Sequence, residues 1–162
     1  MGASGVTGKA LDGRGRDGVL WRMAEPPDMI IEAALYAEDL DAAERFYGGV
    51  LGLQRIVRGG RRHVFYRVGA GVLLIFDPRE TEVSDPSARL RVPPHGAHGP
   101  GHLCFRAEPL GLEAWRERLE GAGVPIESVV DWPQGGRSIY VRDPAGNSVE
   151  FAEARIWAPR EG

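Results

Sequence analysis

The chain has 162 residues, 43% hydrophobic and 27% charged, the profile of an ordinary globular protein long enough to build its own core. A net charge of -3 argues against a broad nucleic-acid-binding surface, and the longest aliphatic/aromatic run, residues 72–76, is far too short to span a bilayer. One cysteine, Cys104, excludes an intrachain disulfide, and one lysine, Lys9 in a Gly-rich stretch, leaves no core lysine for Schiff-base chemistry.

Residues 1–27 read as a flexible or loosely docked tail. Six of the first 18 residues are glycine, apolar periodicity is weak, and Pro26-Pro27 closes the segment. Val19, Leu20 and Trp21 are its candidate anchors. The start of the chain lacks the apolar stretch of a secretory leader, and a cytoplasmic location is expected.

An internal repeat organises the rest. Glu32-Ala-Ala-Leu-Tyr-Ala-Glu-Asp-Leu40 aligns without gaps on His102-Leu-Cys-Phe-Arg-Ala-Glu-Pro-Leu110, and Ala37/Ala107, Glu38/Glu108 and Leu40/Leu110 are identical. Each copy opens with a strand pattern and continues as a helix. The first helix starts near Asp41 with Ala42, Phe46 and Val50 as its apolar stripe; the second carries Leu112, Trp115 and Leu119. Gly52 and Gly121/Gly123 are the predicted stops.

Three strand-like runs follow each helix: 54–58, 63–68 and 72–76 in the first copy, and 126–131, 138–142 and 148–152 in the second. Asp143-Pro-Ala-Gly-Asn147 is a strong turn signal, because Pro sets φ early and Gly or Asn accepts a positive φ later. The reading is therefore α+β: two βαβββ modules over residues 28–77 and 101–157, with the helices outside a cupped mixed sheet. A Pro-rich connection, 78–100, lies between them as a candidate lid carrying His95 and His98, and 158–162 form a short tail.

Strand alternation then assigns faces. Ala33, Leu35 and Ala37, like Leu103, Phe105 and Ala107, belong under the helices. Glu32, Ala34 and Tyr36 lie opposite, as do His102, Cys104 and Arg106, and Glu150 joins them from the last strand. Two carboxylates and an imidazole on one side suit a divalent metal with three protein ligands; mixed O/N donors favour Mn, Fe, Co, Ni or Zn. The same residues also read as two solvated carboxylates beside a half-buried histidine.

Several segments resemble the vicinal oxygen chelate superfamily, which includes glyoxalases, bleomycin-resistance proteins and extradiol dioxygenases. They are Leu35-Tyr-Ala-Glu-Asp-Leu-Asp-Ala-Ala-Glu-Arg-Phe-Tyr47, Val50-Leu-Gly-Leu53, Gly101-His-Leu-Cys-Phe105, Trp132-Pro-Gln-Gly-Gly-Arg-Ser-Ile-Tyr140 and Arg142-Asp-Pro-Ala-Gly-Asn-Ser-Val-Glu-Phe151. The resemblance covers residues 29 to 157. It implies a cupped sheet around a metal, and a homodimer. It also implies ligands on the first and last strands of each module: Glu32, His102 and Glu150. The fourth such position falls at Leu74, a departure from the four-ligand glyoxalase pattern.

The implied activity is metal-dependent small-molecule chemistry on vicinal oxygens, either isomerase/lyase or ring-cleaving oxygenase. Glu32 or Glu150 would serve as the base. Substrate contacts are expected from Arg106, Tyr36, Leu74, Trp132 and Tyr140, with His95 or His98 on the lid supplying acid/base chemistry or a replacement ligand. Arg106 reads equally as an ion-pair partner of Glu108. Cys104 reads as an inert thiol, and His63 as a strand surface residue. The alternative function is a metal-free protein that sequesters a drug or metabolite, favoured by Leu74 and the aromatic pocket candidates.

Overall fold

The structure, a computed structural model, describes residues 25–84, 86–87 and 89–158. The expectations for residues 1–24, including the Val19, Leu20 and Trp21 anchors, and for 159–162 lie outside the described residues. From Ile31 onward the chain forms one compact unit.

Two βαβββ modules run in chain order. The first comprises β1 (Glu32–Tyr36), α1 (Leu40–Glu44), β2 (Gln54–Gly59), β3 (His63–Val68) and β4 (Gly71–Phe76). The second comprises β5 (His102–Arg106), α2 (Leu112–Gly121), β6 (Ser128–Asp131), β7 (Arg137–Arg142) and β8 (Ser148–Ala152). Each module makes its own four-stranded mixed sheet, ordered β1-β4-β3-β2 and β5-β8-β7-β6. In both, the first and last strands pair in parallel and the others antiparallel. Among the described residues the two sheets do not join into one.

The helix-side faces of both sheets share a single core. Leu35, Leu73 and Ile75 of the first module and Val141, Val149 and Phe151 of the second belong to the same buried cluster. The apolar sides of the modules thus meet inside the chain, and the opposite faces turn away from the core.

The two helices reach this core differently. In α2 the predicted stripe holds: Leu112 and Leu119 are buried, and Trp115 packs against Phe151 with its ring tilted, 4.6 Å between centroids. Its indole Nε1 donates to the Ala107 carbonyl at 3.1 Å. α1 is only five residues long; the Asp39 carboxylate caps it by accepting from the Ala42 amide at 2.9 Å. It continues as a π-helical turn over Arg45–Val50. Wider turns shift the buried stripe to Leu40, Ala43, Phe46, Tyr47 and Leu51, with the Leu51 amide bonded to the Phe46 carbonyl five residues back. Of the expected stripe, Phe46 is buried and Val50 packs against the core, while Ala43 rather than Ala42 faces inward in the first turn.

A polar clasp joins the modules. The Asp143 carboxylate accepts from the Tyr47 hydroxyl at 2.8 Å and from the Asn147 amide group at 2.8 Å. The Asn147 side chain also donates to the Tyr36 carbonyl at 3.1 Å and accepts from the Gly101 amide at 2.7 Å. Gly101 has no room for a side chain: a Cβ there would lie 2.8 Å from Leu35 Cδ2. The Asp-Pro-Ala-Gly-Asn segment is therefore both a turn and the tie that sets β1 beside the start of β5.

Candidate metal and ligand site

The second module carries His102, Cys104 and Arg106 of β5, Ser148 and Glu150 of β8, and Ser138 and Tyr140 of β7 on the face away from the core. Glu150 is the centre of that face. It is 5% exposed, and its register partners are Cys104 and Tyr140. Its Oε2 lies 3.4 Å from His102 Nε2, while its Oε1 is buried with no hydrogen-bond partner.

The imidazole tautomer follows from the other ring nitrogen. His102 Nδ1 lies 3.2 Å from the Ser148 carbonyl oxygen. A carbonyl can only accept, so Nδ1 carries the hydrogen, and in the neutral ring Nε2 turns a bare lone pair toward Glu150. Two lone-pair donors therefore converge. A proton on Nε2 would satisfy Oε2 but leave Oε1 orphaned, and an orphaned buried polar atom costs about 1–3 kcal/mol. A divalent cation engages both residues, and its imidazole would already have its outer nitrogen tied to a carbonyl. The donor set fits a metal.

Neighbouring groups are held protonated. The Tyr140 hydroxyl is pushed up to about 12, by burial first and then by Glu150; the Cys104 thiol is pushed up to about 12 for the same two reasons. Cys104 is thus a poor nucleophile at neutral pH. Arg106 is exposed and forms no hydrogen bond or ion pair among the described residues, leaving its guanidinium available to an anionic group. The alternative of a pair with Glu108 is not realised; Glu108 instead accepts from the Ala154 amide at 3.3 Å. Trp132 donates its indole Nε1 to Ser138 at 2.8 Å, beside the Arg106 end of the face.

In the first module the same face holds Glu32, Ala34 and Tyr36 of β1, with Leu74 opposite Ala34 on β4. Glu32 is exposed at the first position of its strand. Among the described residues no three His, Cys, Asp or Glu side chains come close enough together to hold a metal. One chain therefore brings His102 to Glu150 but does not bring Glu32 to them. His95 and His98 are not brought into such a cluster either.

The connecting loop folds back on the first module instead. The His95 amide bonds the Thr81 carbonyl at 3.0 Å, and its ring Nδ1 lies 2.9 Å from the Tyr36 hydroxyl. His98 pairs with Glu82 at 2.9 Å, and that carboxylate raises its pKa. A cleft of about 330 Å³ opens where this loop meets Tyr36 and the Pro144-Ala145 turn.

Two further residues of this face, Phe65 and Phe76, escape the sequence reading although strand parity could have found them, and His63, read there as a strand surface residue, joins them. The parity that buries Val64 and Tyr66 turns His63 and Phe65 onto the Glu32 face, and the parity that buries Ile75 turns Phe76 there too.

A family model described as the Glyoxalase/Bleomycin resistance protein/Dioxygenase superfamily matches residues 30–151. Among solved structures, the chain is similar to the crystal structure of lactoylglutathione lyase from Agrobacterium tumefaciens. Identity is 43%, 83% of this chain and 100% of that chain are covered, and the TM-score is 0.77. It is also similar to virulence protein STM3117 from Salmonella typhimurium, at 26% identity, 79% and 98% coverage and a TM-score of 0.59. The crystal structure of SMU.1112c matches at 25% identity, 77% and 98% coverage and a TM-score of 0.57. No curated protein matches.

Proposed function

We propose a metal-dependent lyase or isomerase acting on a small molecule with vicinal oxygens, since the chain belongs to the glyoxalase/bleomycin resistance protein/dioxygenase superfamily. The observation that carries this reading is the His102–Glu150 pair, with a bare Nε2 facing one carboxylate oxygen and the other oxygen buried without a partner. Similarity to a lactoylglutathione lyase at 43% identity favours proton-transfer chemistry over oxygenation.

His102 and Glu150 would hold Mn, Fe, Co, Ni or Zn, and Glu32 would complete the set. A second copy of the chain would supply Glu32, because one copy does not bring the three together. In this homodimer the outward face of one copy's first module covers that of the partner's second module. Bound there, the metal would act as a Lewis acid on the two substrate oxygens.

The chain's own residues divide the remaining work. Glu150, buried and hemmed in by Tyr140 and Cys104, is a fixed ligand. Glu32, exposed and without a partner among the described residues, has the freedom to swing and would take a proton from the carbon beside the substrate's vicinal oxygens. Arg106, extended and unpaired, would take a carboxylate or oxyanion of the substrate bidentately. Tyr140, with a raised pKa, keeps its proton and can donate it in a hydrogen bond to a substrate oxygen.

The test is metal content by plasma mass spectrometry on protein purified without chelators or a His tag, comparing wild type with His102→Ala and Glu150→Ala. Near-stoichiometric Mn, Fe, Co, Ni or Zn that both substitutions abolish is expected. Absence of metal, with none taken up on titration, would favour a metal-free sequestering protein. Leu74 in the place of a carboxylate is what favours that second reading, which requires ligand binding to survive Glu150→Ala.

A further inference from the structure

We infer that the first module's outward face is a recognition surface for a flat, unsaturated group on the substrate, and that the connecting loop completes it through His95. The inference rests on reading this face as one wall of the ligand cavity.

Six side chains make the surface: Tyr36, His63, Phe65, Leu74, Phe76 and His95. Register places them together. Tyr36, Phe76 and His63 form one row across β1, β4 and β3, and Ala34, Leu74 and Phe65 form the next. The rings touch: His63 stacks on Phe65 at 4.3 Å, Phe65 meets Phe76 edge-on at 5.3 Å, and His95 meets Phe76 edge-on at 4.6 Å. The Tyr36 hydroxyl, 2.9 Å from His95 Nδ1, holds the loop imidazole in place.

Two features indicate a surface shaped for a ring. Gly59 lies opposite His63 in register, and a Cβ there would sit 2.3 Å from His63 Cε1. The missing side chain is what lets the imidazole lie down and stack on Phe65. Burial, with the charges of Arg62 and Arg58, lowers the His63 pKa, so it stacks as a neutral ring at neutral pH.

Charge is also graded along the face. The row at Glu32 carries Arg67 through the Val72 register, whereas the six-residue surface carries no carboxylate or guanidinium. Same-face rows on a strand are about 7 Å apart. Leu74, standing where the other module has Glu150, extends the apolar floor from the aromatic rings toward the ligand end. A substrate fitting this gradient has vicinal oxygens at the Glu32 end and a planar ring over the aromatic rows.

Phenylpyruvate and pyruvate test this, because they share the 2-oxo acid and differ by the ring. Each is titrated calorimetrically into the full chain loaded with Mn²⁺, for wild type, Phe65→Leu and His95→Ala, with melting curves as the folding control. Wild type is expected to bind phenylpyruvate about tenfold more tightly, the scale of an aromatic stacking contact. Both variants should lose most of that preference. Equal binding of the two acids by wild type, or a preference that survives both substitutions, overturns the inference.

Failure of the metal reading is separately visible as absence of Mn²⁺ from the loaded protein. In that event saturation-transfer NMR on metal-free protein decides. Saturation of the phenyl protons that falls in Phe65→Leu and His95→Ala supports the ring surface, and none in wild type overturns it. The two substitutions lie in different elements, so misfolding of one leaves the other to be read.

Discussion

Leu74 and Glu150 occupy the same position in their two sheets. Leu74 pairs with Ala34 on the first strand of its module, and Glu150 pairs with Cys104 on the first strand of the other. Ala34 and Cys104 correspond at the 70-residue offset, so pairing with them makes an aliphatic side chain equivalent to the central carboxylate although the two lie 76 positions apart in sequence. Leu74→Glu would restore symmetry to the site. The variant should melt below wild type without metal, since it places a carboxylate at a buried position, and regain or exceed the wild-type melting temperature on adding Mn²⁺ or Zn²⁺. Calorimetric melting with and without metal checks this.

The proposed sharing of the site between two copies makes a complementation prediction. Glu32→Ala and Glu150→Ala should each be inactive alone. Unfolded together and refolded as an equal mixture, they should recover about a quarter of wild-type activity, because half of the dimers are mixed and each mixed dimer rebuilds one of its two sites. No recovery, with dimers confirmed by light scattering, would place the three ligands in one chain.

Tyr47 and Asp143 tie the modules together, so their loss should register as stability rather than as metal binding. Tyr47→Phe removes one hydrogen bond to a charged acceptor and should cost about 1.5–3 kcal/mol in urea unfolding. Asp143→Ala leaves Tyr47 and Asn147 donors unsatisfied inside the protein and should cost more.

Alkaline pH probes the same clasp. Burial, followed by the charge and hydrogen bond of Asp143, raises the Tyr47 pKa far above the ordinary 10.0, and burial moves Tyr66 up to about 12. Above pH 10 the unfolded chain releases these protons and the folded chain keeps them, so stability falls as pH rises. Stability should be level below about pH 9 and decline from pH 10 toward 12. Tyr47→Phe should flatten that decline, as read from urea midpoints across the range.

Two histidines should titrate on opposite sides of the ordinary 6.5. Glu82 raises His98, and burial with Arg62 and Arg58 lowers His63. Proton NMR of the ring Cε1–H signals reads both. Glu82→Gln should bring His98 back toward 6.5 and leave His63 unmoved.

Local periodicity makes much of this protein legible in its amino-acid order. Alternation along the strands puts Glu32, His102 and Glu150 opposite the core side, and the repeat exposes two modules of like construction. These features depend on neighbours within a few residues, which is what a sequence displays directly. The helix stripe of the first module departs from the expected one, because a π turn has no signature in a 3.6-residue pattern.

Which residues meet is a matter of packing instead. His102 and Glu150 are 48 positions apart in sequence and come together because β5 and β8 are parallel neighbours. Glu32 shares their face by parity yet stays on another sheet, because both modules turn their helix-side faces to one common core and their opposite faces away from it. The Asp143–Asn147 clasp, the seating of His95 on Tyr36 and the stacking of His63 over Gly59 likewise depend on how strands and loops are brought together in space. Strand parity assigns a face, but the distance between two faces is set by how the modules pack.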